Sequence, residues 1–72
     1  MWTTTYDDTG GYDCMTGAWW IKYRGRIVVA LDLSEYGQRP CTDDGPARAA
    51  AEPVALAIVA ALNAAGVTDG RD

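Results

Sequence analysis

The stretch that most restricts what this chain can fold into is "GAWWIKYRGRIVVALDL", Gly17 to Leu33. Two apolar arms rich in β-branched and aromatic residues flank a short basic tip, which is the pattern of a β-hairpin. The register follows from which residues must share a face. With a three-residue loop at Arg24, Gly25 and Arg26, Tyr23 lies opposite Ile27, Ile21 opposite Val29, and Trp19 opposite Leu31, so all six fall on one side. A two-residue turn at Arg24 and Gly25 would pair Ile21 with Val28 and split the apolar set. Alternation therefore favours the three-residue loop, although Gly more often takes the last position of such loops.

The neighbouring segments extend the pattern. "WTTTYDD" alternates Trp2, Thr4 and Tyr6 with Thr3 and Thr5 and reads as an edge strand. "DTGG" is a turn signal, and a bulge is expected near Gly17. "SEYGQRPCTDDG" reads as a loop. The segment "DDGPARAAAEPVALAIVAALNAAG" predicts a helix. Asp43 or Asp44 can cap its start, Pro46 suits its first turn and Gly66 suits its stop, while Pro53 should kink or divide it. The expected architecture is α+β: a three-stranded antiparallel β-meander with one C-terminal α-helix packed on one face (β-β-β-α). Ala51, Val54, Ile58, Leu62 and Ala65 form the helical stripe expected to meet the Trp19–Leu33 face. Residues 1–68 make a single small domain, and 69–72 a frayed tail.

Seventy-two residues bury a limited core, so stability is marginal without a staple or partner. Cys14 and Cys41 could close a loop of roughly 27 residues, contributing about 3 kcal/mol on loop-entropy grounds. The polar start "MWTTTYDD" carries no secretory pattern, so the expectation is two reduced thiols in a cytoplasmic protein. The longest strongly apolar run, Val54 to Leu62, is too short to span a bilayer, so no membrane contact is expected.

Chemistry is limited by what is missing. With no histidine in the chain, the usual general base and the commonest zinc ligand are absent. No phosphate-loop or dinucleotide fingerprint occurs, and so short a chain has little room for a substrate pocket. The expectation is a protein that is not an enzyme and needs no cofactor or metal. A net charge of −4 works against general attraction to nucleic acid, so direct nucleic-acid binding is not expected.

Binding is the remaining class, and two surfaces are candidates. Trp20, Lys22 and Val28 point away from the helix in the preferred register and, with the tip residues Arg24 and Arg26, can form a mixed aromatic and basic patch. Alternatively, Trp20 packs on the first strand beside Trp2 or Tyr6. Asp7, Asp8 and Asp13 surround the first turn, and Asp43 and Asp44 precede the helix. As clustered carboxylates they could compete for a basic groove that normally holds a nucleic-acid backbone, while each is also explained as a turn or cap residue. The helix carries no charge from Pro53 to Val67, and Leu56, Ala60 and Ala49 lie away from the sheet, a stripe that permits a homodimer.

The order β-β-β-α in a small acidic chain resembles that of HicB-type antitoxin domains and of several small phage-encoded inhibitors, including anti-CRISPR proteins. "GAWWIKYRGR" also resembles the first hairpin of the arm-binding domain of tyrosine recombinases. These resemblances are of element order, and fold analogy does not fix function. The expected function is a small acidic protein-binding module, a phage or mobile-element accessory protein that inhibits a host nucleic-acid-handling complex by occluding a surface. The alternative is an antitoxin-like or DNA-binding regulator using the basic tip at residues 22–26.

Overall fold

The computed structural model describes residues 1–7, 16–39 and 43–70. The "DTGG" turn, Asp8, Asp13, Cys14 and Cys41 lie outside them. Strands β1 (Trp2–Asp7), β2 (Ala18–Tyr23) and β3 (Arg26–Asp32) form an antiparallel sheet in the order β1-β2-β3. A 3₁₀ turn at Leu33–Tyr36 interrupts the expected loop, and helix α1 (Gly45–Ala65) follows. The fold is the β-β-β-α arrangement that the alternation predicts.

The hairpin corrects the expected register. Arg24 (φ 53°) and Gly25 (φ 79°) both adopt left-handed conformations, which makes a two-residue turn of the type whose twist suits a hairpin. Tyr23 therefore pairs with Arg26, not with Ile27, and Lys22 pairs with Ile27. A β-bulge then inserts Val28, after which Ile21 faces Val29 and Trp19 faces Leu31 as expected. Turn chemistry and apolar alternation made opposite demands, and one extra residue satisfies both. Gly17 has a different role from the bulge expected there. Its C=O accepts the Leu33 N–H at 2.9 Å and its N–H donates to the buried Gln38 Oε1 at 2.9 Å. A Cβ at Gly17 would run into the Tyr6 hydroxyl, so this close approach requires glycine.

Trp2, Trp19, Ile21, Tyr23 and Leu33 form the core with Ala47, Ala51 and Ala55. Ile58, Val59 and Leu62 pack partly against it. The helical stripe thus differs from the expected one: Val54 and Ala65 are exposed, and Ala47 and Ala55 are buried. Size explains the exchange. Large rings on the sheet fill the space beneath the helix, so alanine, not valine, fits where the backbones approach. The rings are also held by polar bonds, with the Trp19 indole N–H donating to the Arg48 C=O at 3.1 Å.

The helix lies over β1 and β2 and leaves β3 largely uncovered. Its C-terminal end is tied to the edge strand. The Asn63 side chain accepts from the Trp2 N–H at 2.8 Å and donates to the Trp2 C=O at 3.0 Å. The Trp2 indole N–H donates to the Val67 C=O at 2.7 Å. Val29, expected in the core, is consequently 47% exposed although it faces the fully buried Ile21.

Pro53 does not divide α1, which runs unbroken for 21 residues and ends at Gly66 (φ 68°). The strongly apolar run Val54 to Leu62 is only part of it. With its flanking alanines the folded helix is long and apolar enough, by length and composition, to cross a membrane. Only 17% of its most apolar window is buried, although the same helix supplies the alanines of the core.

Candidate functional site

Strand direction sorts the charges. β1 runs away from the hairpin turn and ends at Asp7, while β3 runs the same way and ends at Asp32. α1 starts at that same end, where the Tyr6 hydroxyl donates to the Asp44 carboxylate. Asp7, Asp32, Glu35, Asp43 and Asp44 therefore collect at one end of a molecule 38 Å long. Lys22, Arg24 and Arg26 lie at the other, with Asp69.

The acidic end is held by short-range bonds. Asp43 Oδ1 accepts the Gly45 N–H at 3.0 Å, ordering the entry to α1. Asp44 occupies the N-cap position but makes no side-chain cap bond, and its carboxylate is directed to Tyr6. Arg48 lies with its guanidinium carbon 4.0 Å from the centre of the Tyr6 ring. Asp32 accepts from the Ser34 N–H at 2.9 Å and from the Thr16 hydroxyl at 2.7 Å. These bonds, the Ser34 amide foremost, hold its carboxyl below the ordinary value of 3.8. Two cations, Arg39 and Arg48, share this end.

The basic end is less available than its sequence suggests. The Arg26 guanidinium is paired with the Asp69 carboxylate, with Nε at 3.1 Å, and Asp69 is 4% exposed at its side chain. Lys22 Nζ lies 5.4 Å from the centre of the Trp20 ring on the outer sheet face. Arg24 occupies the turn, its guanidinium carbon 5.7 Å from the Tyr23 ring centre. Trp20 pairs with Thr5 and Ala30, on the opposite face from Trp2 and Tyr6, so the alternative of packing beside those rings does not hold. Val28 is the bulged residue, and Ile27 takes the outer-face position opposite Lys22.

Of the expected binding residues, Asp7, Asp43 and Asp44 are thus brought to one end. Trp20 and Lys22 adjoin on the outer face, and Asp8 is outside the described residues. Asp32 and Glu35 join the acidic end although sequence reading did not single them out. Their alignment with Asp7 follows from two antiparallel reversals, a signal present once the three strands are counted. Leu56 (51% exposed) and Ala60 lie on the uncovered side of α1 as expected, together with Ala49. Among the described residues no cluster of three metal-ligating side chains occurs. Comparisons with protein-family models, with curated proteins and with solved structures give no match.

Proposed function

We propose that this chain is a non-catalytic protein-binding module that inhibits a cytoplasmic nucleic-acid-handling complex by laying its acidic end in a basic groove. Phage-encoded inhibitors are the class in which such an accessory protein would fall. The observation that carries the reading is the excess of carboxylates at one end of the long axis: among the described residues five gather there against Arg39 and Arg48, with the hairpin cations at the other end. A surface of this sign steers toward a basic partner and is repelled by free nucleic acid. The bonds from Tyr6, Gly45, Ser34 and Thr16 hold three of the carboxylates in place, which lowers the ordering cost of binding.

The test is competition. A partner captured from host extract with the tagged chain should lose its bound labelled duplex when the chain is added, and the effect should fade as salt rises. Replacing Asp7 and Asp43 together by Asn keeps the hydrogen-bond acceptors and removes two charges. Competition should weaken about tenfold, or about 1.4 kcal/mol. Direct binding of free duplex by the chain, lost on Lys22→Glu with Arg24→Glu, would overturn the proposal in favour of the basic-tip regulator.

A further inference from the structure

The two edges of the sheet are finished differently. On β1 the outward N–H and C=O of Trp2 are both taken by the Asn63 amide. On β3 the direction of the backbone groups follows from Leu33, whose N–H donates to the Gly17 C=O. By alternation Leu31 and Val29 turn toward β2, and Asp32 and Ala30 turn outward. Among the described residues β3 is the terminal strand, and Ile27, Val28 and Val29 on it are all about half exposed. An apolar edge with outward backbone groups is a template for another strand.

We propose that a second copy of this chain docks along β3, antiparallel about a two-fold axis at Ala30, to give a six-stranded sheet. Ala30 then faces Ala30 of the second copy, and each N–H meets the other's C=O. On the helix-bearing face Val29 comes opposite Leu31 of the second copy, twice, which extends each apolar core toward the other. The bulge at Val28 marks the limit of regular pairing.

Charge selects a second copy as the occupant. The basic turn and the acidic end lie at opposite ends of β3, so antiparallel self-pairing sets unlike charges together at both ends of the interface. The turn at Arg24 to Arg26 comes level with residues 34–36 of the second copy, which sets Arg24 beside Glu35, while Arg26 keeps its pairing with Asp69. A parallel arrangement would set like against like. Asp32 and Glu35 are taken into this interface, whereas Asp7, Asp43 and Asp44 belong to the β1 side and the start of α1 and lie outside it, so the two proposals can fail separately.

Sedimentation equilibrium of the full chain decides it. The expected result is a dimer at micromolar concentration whose dissociation constant rises with salt. Val29→Lys should weaken it at least about tenfold with unchanged circular dichroism, because Val29 is already half exposed. Arg24→Glu should weaken it as well, and combining Arg24→Glu with Glu35→Arg should restore it, a rescue that a folding defect cannot imitate. A monomer at several hundred micromolar overturns the proposal. So does a dimer indifferent to Val29→Lys, or one abolished by Leu56→Glu, which would put the interface on α1.

Discussion

Ile21 and Val29 are opposite neighbours on β2 and β3, both β-branched and on the same face of the sheet, yet one is fully buried and the other is 47% exposed. Their side chains do not explain the difference. It comes from where the helix is fastened: Asn63 and the Trp2 indole hold α1 over the β1 side, and the third strand is left without a roof. Apolar alternation reports which face a residue takes. Whether that face is covered depends on contacts made elsewhere in the chain.

The sharpest way to break this comparison is to truncate both residues. Ile21→Ala should cost about 2–5 kcal/mol in urea unfolding, because a cavity opens in a small core. Val29→Ala, measured where the chain is monomeric, should cost below about 1 kcal/mol, since about half of its surface stays in water after folding. Equal costs in the monomer would mean that α1 covers β3 after all. Next in size is Asn63→Ala, which removes two hydrogen bonds between the helix and β1 and should cost about 1–3 kcal/mol. If the asymmetry is set by this anchor, amide exchange in β1 should also speed up in the variant, with β3 unchanged.

The smallest effect concerns acid at the far end of β3. The Asp32 carboxyl titrates below 3.8 in the folded chain because the charged form accepts the Ser34 and Thr16 bonds. Its contribution is therefore fully present above pH 3.8 and is lost as pH falls through the lower folded value. Asp32→Asn should flatten the stability profile slightly below pH 3.8, measured as melting temperature against pH. An unchanged acid limb would place the acid sensitivity on other carboxylates.

Much of this fold was legible in the sequence. The alternation of Trp19, Ile21 and Tyr23 identifies the buried face of β2, and Pro46 and Gly66 bracket the helix. The bulge at Val28 was not, because turn and alternation each imply a regular ladder and only their conflict implies an inserted residue. Nor was the rotation of the helix, since Val54 outranks Ala55 in hydrophobicity while the space beneath is already filled by rings. The anchor joins residues 61 positions apart, beyond any local pattern. At the candidate site the residue types were readable. Their gathering at one end needed the strand directions, which brought Asp32 and Glu35 to Asp7 and Asp44.

The bond between the Trp2 indole and Val67 has a consequence for how the domain can be joined to anything else. It brings both ends of the described chain to the hairpin pole of the molecule. A tag, a linker or a fused domain added at either terminus leaves from that pole, about a molecule's length from Asp7, Asp43 and Asp44. Cargo therefore crowds the cationic turn and leaves the carboxylate pole as the free tip, whichever terminus carries it.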